Sequence, residues 1–411
     1  MIFIYNLAIR LYVFAIRLSA LAGNKKAAFW INGRKNWREK MRQDLRPGEN
    51  RIWFHCSSLG EFEQARPVME KLKSDHAEIK IVLTFFSPSG YEIRKSYGGA
   101  DYVFYLPADT SGNAKAFVEL VNPTSVFFTK YEYWHHYFHC LKEKKIPLYM
   151  VSAIFRNGDR FFKWYGGFFR AMLKCVTHFF VQEKESQRLL SEIGFTNVTV
   201  AGDTRFDRVV QAASAPKEIS IAKKFSEQGM VLVAGSTWDA DEKLLAELFK
   251  SCGGKLKMII APHEISESRI KEVTGIFSLA KTALFSTASE ATVAQADILV
   301  IDNIGMLSSL YRYGSMAYVG GGFGKGIHNT LEAGVFGIPV FFGPTFEKFN
   351  EAKELIACGG GYSVGSAEEF SAQMKRFLEN ENDRIERGNA AGNYVRSNAG
   401  ATDKILGLLK L

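Results

Sequence analysis

Short apolar runs alternate with segments of helical periodicity along most of the chain. Seven runs lie in the first half, at residues 51–57, 79–85, 102–107, 125–129, 147–152, 178–182 and 198–202. Six more follow a polar stretch, at 231–236, 257–262, 282–286, 297–302, 316–321 and 339–343. Continuous apolar runs separated by helices are typical of parallel strands buried on both faces. The pattern predicts an α/β protein with two Rossmann-like, doubly wound domains that meet near residues 205–225 and face a ligand cleft.

The first 30 residues are apolar but carry regularly spaced polar positions. Asn6, Arg10, Arg17 and Asn24 follow at intervals of four, seven and seven residues, so they share one face of a helix. The uncharged stretches between them are shorter than the roughly 20 residues that a spanning helix needs. We therefore expect a helix lying in the membrane interface. A helix buried against the domain and a single membrane span are the alternatives.

These patterns divide the 411 residues into four segments. We expect an N-terminal membrane-associated helix at 1–33 and a Rossmann-like domain at 34–212. A second Rossmann-like domain follows at 213–395, and a C-terminal helix at 396–411. A chain of this length exceeds one ordinary domain, and each half is long enough to bury its own core.

Charge and cysteine content narrow the functional classes. The formal net charge is +9, and residues 1–50 hold ten lysines and arginines against three acidic residues. Positive charge concentrated beside an apolar N-terminus indicates attraction to anionic lipid headgroups and disfavours a nucleic-acid partner. The five cysteines are scattered without C-x-x-C spacing, which argues against disulfides and a zinc site and fits a reducing cytosol.

A first candidate for chemistry is the segment HCSSLGEFEQ at 55–64, where a predicted strand turns through Gly60 into a helix. A carboxylate in the first helical turn projects from the carboxyl edge of the sheet, which makes Glu61 a candidate general base. The alternative is that Glu61 and Glu63 only complement the helix dipole.

A second candidate is the glycine-rich segment GGGFGKGIHNTLE at 320–332, between a predicted strand and a helix. Backbone amides at such a turn bind phosphate, and a glutamate can accept hydrogen bonds from ribose hydroxyls. Lys325 is followed by Gly326, which excludes a Walker A loop, and the dinucleotide fingerprint is absent. The segment therefore favours a nucleotide-sugar site.

Three further motifs have competing interpretations. Asp239-Ala240-Asp241 matches the D-x-D pattern of metal-dependent glycosyltransferases, but its place at a predicted helix start favours capping, so we assign no metal. The histidines of segment 135–139 lie among aromatic residues, which favours packing or interfacial contact over metal binding. The aromatic run 161–169, led by Arg156 and Arg160, suits either a lipid or headgroup site or a core.

Together these motifs resemble the lipid A Kdo (3-deoxy-D-manno-octulosonic acid) transferases, glycosyltransferases of the two-Rossmann-domain GT-B type. The motifs run in order over nearly the whole chain: HCSSLGE (55–61), TKYEYW (129–134), GDTRFD (202–207), GSTWDADE (235–242), APHE (261–264), DNIGML (302–307) and the glycine-rich segment that continues to Pro344. Their order and spacing make the set specific, although no single motif is decisive.

The resemblance implies roles for individual residues. It implies that Glu61 deprotonates the acceptor hydroxyl, and that Glu132 and Arg205 support charge development at the reacting centre. It also implies a CMP-binding set made of Pro262, His263, Ile304, Gly305, Met306, Asn329, Thr330, Leu331 and Glu332. The implied reaction is an inverting displacement without a metal or other cofactor, because CMP is already a good leaving group.

The chain departs from the family pattern at three positions. Pro262 stands where the family usually shows arginine, and Met306 stands where it shows glutamate. Arg205 replaces the usual lysine, which keeps the charge but not its geometry. The first two departures remove charged groups from the implied contacts with CMP.

The resemblance implies that the partners are CMP-Kdo, a lipid A precursor and anionic lipids of the bacterial inner membrane, on its cytoplasmic face. Two alternatives stay open. One is another GT-B transferase that uses a UDP-sugar and a lipid acceptor. The other is a non-catalytic, membrane-tethered nucleotide-binding protein on the same scaffold.

Overall fold

The computed structural model describes residues 1–409. It divides into two compact units, which we call the first unit (Met1–Arg208 and the chain from Gly400 onward) and the second unit (Val209–Ala399). Each unit contains one seven-stranded sheet in which every strand pair is parallel. The predicted α/β fold with two doubly wound sheets is confirmed.

The sheet of the first unit has the order β3-β2-β1-β4-β5-β6-β7. Its strands are β1 (Arg51–Cys56), β2 (Lys80–Phe85), β3 (Tyr102–Tyr105), β4 (Ser125–Thr129), β5 (Leu148–Ala153), β6 (His178–Val181) and β7 (Val198–Val200). The first ten helices are α1 (Ile2–Leu21), α2 (Lys25–Asn32), α3 (Trp37–Asp44), α4 (Leu59–Asp75), α5 (Pro88–Arg94), α6 (Ser111–Val121), α7 (His135–Glu143), α8 (Gly167–Leu173), α9 (Lys184–Glu192) and α10 (Thr204–Ser214), the last of which contains the boundary between the units.

The sheet of the second unit has the order β10-β11-β9-β8-β12-β13-β14. Its strands are β8 (Val231–Thr237), β9 (Lys257–Pro262), β10 (Thr282–Leu284), β11 (Ile298–Val300), β12 (Met316–Val319), β13 (Val340–Phe342) and β14 (Gly361–Ser363). The remaining helices are α11 (Ser220–Ser226), α12 (Asp239–Ser251), α13 (Glu267–Ile276), α14 (Glu290–Gln295), α15 (Leu307–Leu310), α16 (Leu331–Gly334), α17 (Asn350–Ala357), α18 (Ala367–Glu379), α19 (Glu381–Ser397) and α20 (Ala401–Gly407). Only β14 lacks a predicted counterpart.

Burial on both faces explains why the strands are continuous apolar runs. In β1, Trp53 packs into one hydrophobic cluster of the first unit, while Ile52 and Phe54 pack into the cluster on the other side of the sheet. Helix α20 belongs to the first unit, where its residues Ala401 and Ile405 join the same cluster as Ile52 and Phe54.

Helix α1 has two unlike faces. The side chains of Tyr5, Ile9, Val13, Ile16 and Ala20, which recur at helical spacing, are half-buried. The opposite face is an exposed apolar stripe, the α1 outer stripe, made of Phe3, Leu7, Leu11, Phe14 and Leu18. By length and composition alone α1 can cross a membrane. Its half-buried face is the structural feature that separates it from an isolated span.

Candidate active site

Glu61 lies in the first turn of α4, immediately after β1. Its Oε2 atom accepts hydrogen bonds from the backbone N–H of Ser58, at 3.0 Å, and from the Ser58 hydroxyl. The carboxylate therefore belongs to a capping box at the start of α4. Within residues 1–409, Oε1 of the half-buried Glu61 has no hydrogen-bond donor, so that oxygen remains available to a ligand.

Glu132 follows β4, the neighbour of β1 in the sheet, and is held by two side chains. The indole Nε1–H of Trp134 donates to Glu132 Oε2 at 2.8 Å. The same oxygen lies 3.4 Å from His55 Nε2, and the Glu132 side chain is only 14% exposed. Sequence reasoning named Glu132 but missed both partners. His55 could not be found from the local sequence, because the register of the strands brings it to Glu132.

Buried contacts hold both nitrogens of the His55 ring. The Thr84 oxygen accepts from Trp53 Nε1, at 2.7 Å, and lies 2.9 Å from His55 Nδ1 and 3.2 Å from the Phe54 carbonyl oxygen, either of which can take the Thr84 hydroxyl proton. A lone pair on Nε2 would face the Glu132 carboxylate, which is unfavourable, so the Nε2–H group of His55 points at Glu132.

The Cys56 thiol, at the end of β1, feels both carboxylates. Burial raises its pKa, its contact with Thr129 (3.7 Å) partly opposes this, and the charges of Glu61 and Glu132 raise it further. A fully buried thiol with a raised pKa stays protonated and is a poor nucleophile. Both carboxylates are therefore near enough to act electrostatically on the same inert thiol.

Arg205 lies at the start of α10 and is joined to α4 through Asp203. Its Nε donates to Asp203 Oδ2 at 2.8 Å, and its terminal nitrogen lies 2.7 Å from the same oxygen. Gln64, one turn after Glu61 on α4, donates to Asp203 Oδ1 at 3.2 Å. The guanidinium is thus fixed by a partner that also contacts the helix of Glu61.

In the second unit, the glycine-rich turn after β12 is shaped by close backbone contacts. A Cβ at Gly322 would lie 2.5 Å from Gly343 Cα, and one at Gly320 would lie 2.4 Å from the Ser236 carbonyl oxygen. Gly321 has a φ of 94°, which side chains rarely adopt. The glycines are therefore required by the path of the backbone itself.

A buried carboxylate, Asp241, holds this turn. It accepts hydrogen bonds from the backbone N–H groups of Gly321 and Trp238, both at 2.9 Å, and from the Tyr318 hydroxyl at 2.7 Å. The bond to Trp238 is the capping role predicted for the D-x-D motif. The bonds to Gly321 and Tyr318 were missed, because sequence alone does not place α12 beside the loop after β12.

Three rings stack beside the glycine-rich turn. His263, which follows Pro262 at the end of β9, lies between the indole of Trp238 and the imidazole of His328, with ring centroids 4.6 Å away on each side. Burial lowers the pKa of His328, nearby His263 lowers it further and Asp241 opposes the shift. A planar aromatic stack of this kind suits a planar ligand group.

A cavity of about 540 Å³ lies at the stack and the glycine-rich turn, a volume ordinary for small-ligand sites. Its lining includes Trp238, Asp241, Lys325 and His328 together with Gly321 and Gly326. It thus combines an aromatic wall, backbone amides and one exposed cation.

The other predicted CMP-binding residues occupy two further loops. Ile304 is 85% exposed and Gly305 has a φ of 90°, while Met306 is the N-cap residue of α15 and is half-buried. Asn329 donates to Glu332 at 3.1 Å and accepts from the Leu331 N–H at 3.1 Å.

The Thr330 and Leu331 side chains are fully buried, so any contribution they make to a ligand site is through the backbone or through packing. Thr330 Oγ1 has no hydrogen-bond partner within residues 1–409. No cluster of three or more histidine, cysteine or acidic side chains suited to a metal ion occurs in that part of the chain.

Comparison with known proteins matches this chain to sugar transferases. The family model described as 3-deoxy-D-manno-octulosonic-acid transferase (kdotransferase) matches residues 35–208. A 3-deoxy-D-manno-octulosonic acid transferase of Aquifex aeolicus is 27% identical over 82% of this chain and 88% of its own length. One from Haemophilus influenzae is 24% identical over 89% of this chain and 87% of its own length.

Solved structures with the same fold include a UDP-GlcNAc 2-epimerase and MurG. The UDP-GlcNAc 2-epimerase of Neisseria meningitidis superposes with a TM-score of 0.60 at 15% identity, covering 87% of this chain and 98% of its own. MurG of Acinetobacter baumannii gives a TM-score of 0.55 at 11% identity, covering 88% and 99%. At these identities the likeness concerns the fold alone, and the predicted GT-B architecture is confirmed.

Proposed function

Since this chain belongs to the 3-deoxy-D-manno-octulosonic acid (Kdo) transferase family of glycosyltransferases, we propose that it moves Kdo from CMP-Kdo onto a lipid A precursor, lipid IVA, in lipopolysaccharide core biosynthesis. The observation that carries the proposal is the pair of carboxylates at the ends of β1 and β4, with Glu61 Oε1 available. General-base catalysis needs such a fixed but unoccupied oxygen within reach of a hydroxyl.

In the proposed reaction, Glu61 Oε1 takes the proton of the acceptor hydroxyl. The acceptor oxygen attacks the anomeric carbon of Kdo as the bond from that carbon to the phosphate oxygen breaks, and CMP leaves with the bonding electrons. One displacement inverts the anomeric configuration. Glu132, with the proton it shares with His55, and the fixed cation Arg205 stabilise the charge that develops.

The second unit supplies the donor site in this proposal. Phosphate binds at the backbone amides of the glycine-rich turn, and the cytosine packs near the ring of His263. Glu332, held by Asn329, accepts hydrogen bonds from the ribose hydroxyls. These groups stabilise a leaving phosphate by positioning and by fixed dipoles, so the proposed reaction needs no metal or cofactor.

We place the protein at the cytoplasmic face of the bacterial inner membrane, attached by α1. The α1 outer stripe is long, apolar and exposed, and the basic residues concentrated in residues 1–50 suit anionic headgroups. The half-buried inner face of α1 favours a helix that lies on the bilayer, because a helix crossing it would lose those contacts.

The test is a transfer assay with purified protein in EDTA, with CMP-Kdo generated in situ and tetraacyl lipid A precursor as the acceptor. We expect a product whose mass has grown by whole Kdo units, and the mass counts the sugars added. Loss of transfer in EDTA, restored by a divalent ion, would remove the metal-independent mechanism. Transfer from UDP-sugars and none from CMP-Kdo would support the other GT-B transferase, and binding without transfer would support the non-catalytic alternative.

A further inference from the structure

A second cavity, the α1 cavity, lies in the first unit and has a volume of about 640 Å³. One wall is the N-terminal half of α1, represented by Ile4, Ala8 and Ile9. The facing wall belongs to the aromatic run and α8 and includes Phe168 and Phe169. The proposed reaction uses neither of these walls, so the apolar character that they share needs another explanation.

The α1 cavity lies on the flank of the helix, between its two faces. Ile4 and Ala8 are one turn apart and fall between the half-buried face that contains Tyr5 and the α1 outer stripe that contains Phe3 and Leu7. When the outer stripe contacts a bilayer, an acyl chain leaving that bilayer reaches the cavity by passing along this flank.

Specific hydrogen bonds hold the α1 wall in place. The Tyr5 hydroxyl donates to the buried carboxylate of Asp109, which also accepts from the backbone N–H of His136 at 3.0 Å. One residue further along α1, Asn6 Oδ1 lies 2.6 Å from His136 Nε2. The N-terminal half of α1 is thus docked as part of the first unit, and the cavity is a built feature of the fold.

The few charged side chains of the lining connect the cavity to the proposed chemistry. They are Glu132, Asp159 and Arg160. Glu132 also belongs to the pair of carboxylates proposed to act on the acceptor. The exposed Arg160 guanidinium lies over the Phe169 ring, 5.5 Å from its centroid, and has no carboxylate within 4 Å in residues 1–409. An apolar pocket bordered by a catalytic carboxylate and an unpaired cation suits an anionic amphiphile.

We propose that the α1 cavity binds one acyl chain of the lipid acceptor and so places the acceptor sugar at the carboxylates. The inference rests on the proposed function and adds to it the part of the acceptor that α1 recognises. The bilayer-facing helix then acts both as an attachment and as a wall of the acceptor site.

Two alanines of α1 offer a matched test. Ala8 and Ala15 are both exposed, and a spacing of seven residues puts them on the same flank, but only Ala8 lines the cavity. Ala8→Phe fills the cavity, whereas Ala15→Phe adds the same ring two turns away. Any effect of helix propensity or membrane affinity is therefore common to both variants.

The first measurement is binding without turnover. Trp134 lines the cavity, and the 93% exposed Trp164 is removed as a background signal by Trp164→Phe in all proteins. We expect 9,10-dibromostearate to quench tryptophan emission, with an affinity about tenfold lower in Ala8→Phe and unchanged in Ala15→Phe, because about two methylenes lose their burial. Equal affinities in the two variants would overturn the proposal.

The second measurement is transfer to two acceptors. Ala8→Phe should raise KM for the tetraacyl acceptor about tenfold at unchanged kcat, and leave the kinetics with the deacylated disaccharide unchanged. Quenching by brominated phosphatidylcholine that the tetraacyl acceptor does not displace would assign the cavity to bulk lipid and overturn the proposal. Absence of transfer by the wild type would refute the proposed function separately, because the quenching experiment needs no CMP-Kdo.

Discussion

The candidate sites of the two units are built from different parts of the polypeptide. In the first unit the proposed chemistry lies in side chains: Glu61 and Glu132 follow adjacent strands, and partners such as Ser58 and His55 hold them. In the second unit the proposed chemistry lies in the backbone. The turn there has no room for a Cβ at Gly322, and Asp241 holds it through a hydrogen bond from the Gly321 N–H. A side-chain site can lose its chemistry while the fold survives, whereas a backbone site is lost through small changes in shape.

The largest expected effect is at the proposed base. Glu61→Gln keeps an oxygen that can accept from Ser58 but cannot take a proton, so we expect kcat to fall by about a thousandfold with little change in Tm. The matched control is Glu63→Gln, two residues along α4, where the carboxylate pairs with Arg66 and Arg94. Equal kcat values for both variants in the transfer assay would remove Glu61 from the mechanism.

The next effect is at the backbone site. A Cβ at Gly322 would lie 2.5–2.7 Å from the backbone of Gly343, so Gly322→Ala must displace the turn. We expect donor affinity to fall by up to about 100-fold, together with a lower Tm. Gly324→Ala is the control, since its nearest neighbour would be the Gly321 carbonyl oxygen at 3.7 Å. Calorimetric titration with CMP measures both, and similar affinities would contradict a backbone-built site.

A smaller effect is expected at the partner of Glu132. His55→Phe removes the proton shared with Glu132 but leaves the Trp134 hydrogen bond, so we expect kcat to fall by about tenfold with donor KM unchanged. The control is His178→Phe on β6, a strand away from the carboxylates. This variant also removes a hydrogen bond between a histidine and a threonine, the 2.9 Å contact of His178 with Thr199. If both variants had wild-type kcat, His55 would have no part in orienting Glu132.

The smallest effect concerns pH and the docking of α1. Burial, with the nearby charges of His139 and His136, lowers the pKa of His135 to about 4 from its ordinary 6.5. The folded state therefore binds this proton more weakly than the unfolded state, so the stabilising effect of neutral His135 is present above pH 6.5 and is lost as the pH falls towards 4.

We expect His135→Phe to reduce the fall in Tm between pH 7 and pH 4.5 by a few degrees, a shift typical of about 1 kcal/mol. The ring of Phe168 stacks on His135 at a centroid distance of 4.9 Å, so a phenyl ring fits the site. If the Tm of the variant fell as far as that of the wild type between pH 7 and pH 4.5, His135 would not be the source of this pH dependence.

The sequence predicted the strands well because burial on both faces produces continuous apolar runs. Of the strands, β14 was missed: Gly361–Ser363 is three residues long and carries no such run. Side-chain partners were harder to predict, since the contact between His55 and Glu132 joins residues 77 apart and the contact between Asp241 and Gly321 joins residues 80 apart.

The motifs single out Glu61, Asn329 and His263 as candidates because each adjoins the end of a strand or a turn, where parallel sheets gather functional groups. The roles assigned to them, and the functions assigned to the two domains, stay predictions. The α1 cavity could not be predicted, because the aromatic run 161–169 fits a core as well as a ligand wall until its distance from α1 is known.

Calorimetric titration of wild type and Glu61→Gln with CMP and with UDP tests the proposed division of roles between the two units most directly. We expect CMP to bind both proteins with the same Kd, UDP to bind each more weakly, and only the wild type to transfer Kdo. Tighter binding of UDP than of CMP, or loss of CMP binding in Glu61→Gln, would contradict the assignment of donor recognition to the second unit and of base catalysis to the first.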